Sequence, residues 1–492
     1  MLNKSLAALA VAATLSVAQT ARADYWAWNG SSTSPSYWDD LSLWVRSGSN
    51  TDFSLYNHNI MEKWSDGKAF AAGWDKTVTF RNVSILTNVT SKVGVLTFSA
   101  GSPQAPIMFA AERDDYGIWS SANLVLNGED DSDPCLEIQS GTYRFALMYI
   151  GNTKDLNGSL NVSGGTLATG GNIYIGSAGT GCLNVSGGTV SSGAYLHVGG
   201  LGQNNTTGGP GYLNISGGLV KNAANYIRIA AYNNGTGTVT VTSGGAYENL
   251  EGNGSITVAH NAGSVGTLNV QGGRVTTKGK VYLCYNATSV SAAVNVTDGG
   301  ILTVNSIEQI NAGVDGSTVT VDGGTIRAYA SNASFMPAGS NFRVYAGANG
   351  ATFDAATFDI TIGEDIDDKP GETGSVTFAG DGGTIRLTGA LNYSGVTYLN
   401  EKTHLVVKDS SMLEALLTKG LTVARPSAST VIGTYTILSI ADGTPCTAAD
   451  FARMAKGPGL ERATFGVDNG AVTVTVAGSA QTWAGASGVS AA

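Results

Sequence analysis

Side chains able to do chemistry are thinly spread through this chain of 492 residues, which holds 37 Asp and Glu, 27 Lys and Arg, 4 His and 4 Cys. A hydrolase of polysaccharides needs two positioned carboxylates. A calcium-dependent lyase needs acidic ligands and a base that removes a proton. Asp298 and Asp322 hold the same turn position in consecutive repeats, so they read either as a shared cation site or as two solvated turn carboxylates. The acidic clusters Glu129-Asp-Asp-Ser-Asp133 and Glu364-Asp-Ile-Asp-Asp368 are candidate Ca²⁺ loops. They lack EF-hand order and the tandem Gly-Gly-x-Gly-x-Asp pattern, so solvated loops are the plainer reading. No Gly-x-Ser-x-Gly elbow, His-Glu-x-x-His pair or phosphate loop is present. No catalytic residue, resident cofactor or metal site is therefore assigned. Cys135, Cys182, Cys284 and Cys446 lie far apart, without metal spacing. Buried thiols are expected, with Cys182 and Cys284 in strands; an oxidising compartment would also permit a disulfide.

Recognition chemistry is better represented. Tyr149, Tyr174, His197, Arg228, Thr257 and Tyr282 each sit between two apolar residues, as in Met148-Tyr-Ile150 and Val281-Tyr-Leu283. Strand alternation places all six on one outer column. A row of aromatics offers flat faces with polar tips to sugar rings. The alternative is cross-strand packing that merely covers the sheet. Tyr149, Tyr174, His197, Arg228 and Tyr282 are accordingly the ligand-binding candidates.

These residues are positioned by a repeat. Gly-Gly pairs preceded by a strand recur at Gly164-Gly165, Gly187-Gly188, Gly217-Gly218, Gly244-Gly245, Gly272-Gly273, Gly299-Gly300 and Gly323-Gly324, with steps of 23 to 30 residues. Each copy reads Leu-Asn-Val or a close relative, with a further short strand after the pair. Several short strands per repeat, separated by glycine corners, describe one coil of a β-solenoid. Stacking would align Leu160, Leu183, Leu213, Val239, Leu268, Val294 and Val319 in one inner column. Asn161, Asn184, Asn214, Thr240, Asn269, Asn295 and Thr320 would form an outer ladder of hydrogen-bonding groups. The fold class expected is all-β, a right-handed parallel β-helix.

Composition agrees. Gly numbers 67 and the formal charge is −10, which leaves nothing to neutralise nucleic-acid phosphates. Residues 1–23 carry Lys4, an apolar run and Ala21-Arg-Ala23, the pattern of a cleaved secretory signal peptide. No later run is long enough for a membrane helix. Export to the extracellular space or cell surface is expected, with the periplasm as a further option. Residues 24–120 hold seven of the eight Trp and read as an N-terminal β cap over the open core, or alternatively as a carbohydrate-binding module. Regular repeats are expected over 121–330 and looser β structure over 331–480. Short helices are expected over 413–418 and 448–456. The tail over 481–492 reads as truncated.

The Gly-Gly-Thr repeats resemble the passenger β-helices of autotransporter-type surface proteins. The stretch Gly382-Gly-Thr-Ile-Arg-Leu-Thr-Gly-Ala-Leu-Asn-Tyr-Ser-Gly-Val-Thr-Tyr-Leu399 resembles the autotransporter-associated β-strand repeat. Trp28-Asn-Gly, Trp38, Trp44 and Trp74-Asp-Lys-Thr-Val-Thr-Phe80 are similar to the start of such exported proteins. The resemblance implies a surface β-helix with structural or adhesive use, whose partners are cell-surface glycans or other surface proteins. The chain departs from a full autotransporter, since no translocator barrel follows Val476. By fold analogy with pectin lyase-like β-helices, a polysaccharide-binding or polysaccharide-degrading protein is the alternative. The polygalacturonase motifs Gly-His-Gly and Arg-Ile-Lys are missing; Arg228-Ile-Ala230 comes nearest.

Overall fold

In the computed structural model, backbone is described over 135–200, 208–223, 226–285, 291–311, 316–339, 342–424 and 432–476, together with short strands between Tyr25 and Leu126. The signal-peptide segment, the Glu129–Asp133 cluster and the tail lie outside these residues, as do Trp38, Trp64 and Trp74.

Each coil contributes three strands, and like strands stack. Asn157–Val162, Thr166–Thr169 and Ile173–Ile175 make one coil; Thr180–Val185, Thr189–Ser192 and Leu196–Val198 make the next. Stacking generates a first sheet of 13 strands, a second of 15 and a third of 9 among the described residues. Pairing is parallel and in register, with Leu160 opposite Leu183 and Asn161 opposite Asn184. The protein is thus a parallel β-solenoid, as its repeat implies. Alternation decides which side chains enter the core. The first column, Leu160, Leu183, Leu213, Val239, Leu268, Val294 and Val319, is buried throughout, and so is the Val162 column beside it.

The glycine pairs at the corners do two different jobs. Gly188 takes φ +67°, while its partner Gly187 keeps an ordinary φ but passes so close to the preceding coil that a Cβ would lie 2.2 Å from the Ser163 carbonyl oxygen. A side chain is excluded by both conformation and space at Gly188, where a Cβ would lie 2.4 Å from the Gly165 carbonyl oxygen, and by space alone at Gly187. From Gly244-Gly245 onward the roles reverse, and the first glycine carries the positive φ.

After the third sheet ends at Ser306–Gln309, its face is taken over by a 7-stranded sheet beginning at Asn332–Met336. This sheet closes with an antiparallel unit, where Ala471–Val476 pairs with both Gly433–Ile440 and Thr464–Asp468. Helix α1 (Ser410–Lys419) starts where the Asp409 carboxylate accepts the Met412 N–H at 2.9 Å, and it buries Leu413, Leu416 and Leu417. Helix α2 is shorter than its sequence implies, spanning only Ala448–Phe451, because Ala455–Lys456 joins the second sheet instead.

Candidate functional site

The third sheet carries the aromatic column, and its rings use their faces on each other. Tyr149 and Tyr174 stack at 4.9 Å and 16°, and Tyr174 and His197 at 4.9 Å and 11°. Rings stacked along the rod present edges and hydroxyls outward, so the cross-strand packing alternative describes this part of the column. His197 departs from expectation. Strand alternation puts it on the outer face, yet it is 3% exposed, because Tyr195 and Tyr232 pack against it at 5.7 and 6.1 Å. Burial, reinforced by the positive charge of Arg228 and by His260, lowers its pKa to about 3, so the ring is neutral. Thr257 is covered as well.

A second outer column flanks the first: Tyr195, Tyr226, Ser255, Lys280 and Ser306 occupy successive coils. Tyr195 stacks on Tyr226 at 6.1 Å and 8°, and the Arg228 guanidinium lies 4.9 Å from the Tyr195 ring centre and 6.0 Å from that of Tyr226. Tyr282 meets Tyr285 edge-on at 5.2 Å, with the Lys280 ammonium 6.0 Å from its ring. Between these groups lies an open hollow of about 490 Å³, lined in part by Tyr226, Asn253, Ser255, Lys278, Lys280 and Tyr282. Lys280 pairs with Glu308 at 2.8 Å. That hydrogen bond raises its pKa against the opposing effect of burial. Burial also pushes the Tyr282 hydroxyl up.

The structure therefore brings Arg228 and Tyr282 to the neighbourhood of one hollow, leaves Tyr149 and Tyr174 in a stack further along, and buries His197. Sequence reasoning missed Tyr195, Tyr226, Lys280 and Asn253. The signal for Tyr226 and Lys280 was their place one residue before an apolar-x-apolar strand.

The acidic candidates serve the rod. Asp322 pairs with Lys369 at 3.3 Å and accepts the Asn349 N–H at 2.8 Å, whereas Asp298 accepts from the Thr297 hydroxyl at 2.8 Å. In the Glu364–Asp368 segment, Asp365 accepts the Ala390 N–H, Asp367 the Asn392 amide and Asp368 the Ser394 N–H, all from the next coil. No cluster of three metal-ligating residues occurs among the described residues.

The outer ladder forms where asparagines are consecutive, and Asn269 reaches on to the Thr240 hydroxyl at 3.4 Å. Asn184 donates to Asn161, Asn214 to Asn184 and Asn295 to Asn269, each at 2.9 Å. The thiols are free. Cys135 and Cys284 are buried, while Cys182 is only half-buried on the outer side of its strand, beside the Asn ladder. Ser159 separates Cys135 from Cys182 in the stack. Burial pushes the Cys135 thiol up to about 11, which makes it a poor nucleophile.

No helix among the described residues is long and apolar enough to cross a membrane. Comparison with protein-family models, with curated proteins and with solved structures returns no significant match to this chain.

Proposed function

We propose that the protein is an exported, non-enzymatic β-solenoid that serves as a structural and adhesive module at a cell surface. The observation that carries this reading is the in-register stack itself. Its outward positions are spent on ladders that hold coil to coil, amides on the first sheet and stacked rings on the third. Such a surface suits a stiff, repetitive rod that displays side chains along its length. Surface glycans and surface proteins are the partners this reading allows.

The test is to couple the purified chain to beads and to measure their retention on cell layers and on immobilised surface glycans. Retention above that of protein-free beads supports the reading. Bare-bead retention sinks adhesion, and release of reducing or unsaturated ends from an acidic polysaccharide would replace it with the enzymatic alternative.

A further inference from the structure

We propose that the hollow beside Tyr226 is a binding site for one carboxylated sugar residue of an acidic glycan. This names the ligand class for the adhesive reading and rests on it.

The hollow exists because the aromatic series skips a coil. Tyr195 and Tyr226 stack in consecutive coils. The next coil supplies Ser255 in place of a ring, and the coil after that supplies Lys280. In the neighbouring column, Thr257 likewise separates Arg228 from Tyr282. Coils are about 4.8 Å apart, so the Tyr226 and Lys280 rungs are separated by about 9.6 Å with only small side chains between them. A flat ring occupies roughly 3.5–4 Å of such a stack. Ser255 and Thr257 lie covered beneath their neighbours, so the hollow above them takes one ring laid over this rung, with Tyr226 on one side and Lys280 and Tyr282 on the other.

The polar groups choose the kind of ring. A sugar presents an apolar C–H face to an aromatic ring and hydroxyls at its rim. Asn253 donates to the Tyr226 hydroxyl at 2.9 Å, which leaves its side-chain carbonyl oxygen able to accept from a sugar hydroxyl. Lys280 is already neutralised by Glu308. Lys278 lines the same hollow and has no carboxylate partner among the described residues. An ammonium without a carboxylate partner, in a hollow also lined by Tyr226 and Tyr282 and in a chain of net charge −10, suits a ligand that brings its own carboxylate.

The experiment titrates the whole purified chain with trisaccharides of galacturonate and of glucuronate, and with their methyl esters, followed by calorimetry. At least one acid should bind, with its ester weaker by about tenfold or more. Lys278→Glu should weaken the acid about tenfold and leave the ester unchanged. Ser255→Phe, which fills the missing rung, should remove both. Lys154→Glu, on an exposed turn, is the control and should change nothing. Equal affinity for acid and ester, no binding of any of the four, or an equal loss in the Lys154 variant would overturn the proposal. Beads that adhere to cell layers while none of the four trisaccharides binds the chain would remove this site while leaving the adhesive reading standing.

Discussion

At the residue scale, the fold depends on atoms that are missing. Gly188 combines a positive φ with a Cβ position 2.4 Å from the Gly165 carbonyl oxygen, whereas Gly299 has φ +78° and nothing within 4 Å. Gly299→Ala should therefore cost only the left-handed backbone penalty, about 1–2 kcal/mol. Gly188→Ala should cost that and a further ~1–3 kcal/mol of overpacking, because backbone in a stacked coil has little room to yield. Equal midpoints for the two variants in chemical denaturation would contradict this division of labour. The amide ladder makes a parallel case. Asn184 both donates to Asn161 and accepts from Asn214, so Asn184→Ala should lose about 1–2 kcal/mol by the same measurement. Asn184→Asp keeps the acceptor, cannot donate to Asn161, and should fall below wild type as well. These positions were legible in the sequence because alternation and corner glycines act within a single coil. The burial of His197 was not, since it depends on Tyr195 and Tyr232 reaching over it from the ends of strands. The hollow was equally hidden. It is made by an absence at Ser255 that acquires meaning only when corner residues of unequal spacing are brought alongside one another.

At the scale of elements, the two halves of the rod are fastened by different chemistry. From Asn161 to Asn214 and again from Asn269 to Asn295, amides link successive coils. Beyond Asp322, carboxylates do: Asp322 accepts from Asn349, Asp359 from Thr384, Asp365 from Ala390 and Asp368 from Ser394. Burial alone would raise the Asp368 pKa, but the Ser394 hydroxyl and the Gly374 and Ser394 N–H groups hold it below the usual carboxylate value. Asp322 is lowered likewise by Asn349 and Lys369 against its burial. A carboxyl whose pKa is depressed on folding stabilises the fold above its unfolded pKa, near 4, and that contribution fades as pH falls through the folded value. Acidification from about pH 5 to pH 3 should thus loosen the coils over 342–424 before those over 157–297, for amides do not titrate in this range. Hydrogen exchange at the two pH values is the measurement, and earlier loss of protection in the amide half would refute it. The acidic cluster at Glu364–Asp368 was visible in the sequence as carboxylates. What they bind was not, because their partners lie about 25 residues ahead, in the next coil.

At the scale of the whole molecule, a solenoid is a sum of near-identical layers, each held mainly by its two neighbours. Register therefore permits the removal of one complete layer. Thr236 stacks on Val265 and Leu213 on Val239, so deleting residues 236–264 joins Gly235 to Val265 and lets Leu268 take the place of Val239 above Leu213. The inner column stays apolar, and the first-sheet ladder keeps an amide, since Asn269 then lies against Asn214. The deletion variant should fold, retain the β circular-dichroism signal per residue, and be shorter by about one 4.8 Å step. Deleting only 236–250 breaks the layer, because it removes the first-sheet strand while keeping the third-sheet strand of the same coil; it should lose cooperative unfolding. The complete deletion also removes Ser255 and Thr257, which brings Lys280 onto Tyr226 and Tyr282 onto Arg228. The missing rung closes, and with it the hollow. A shortened rod that still folds but no longer binds a uronate would tie recognition to one interrupted layer in an otherwise continuous stack. Undiminished uronate binding by the shortened rod would place recognition on some other part of the surface.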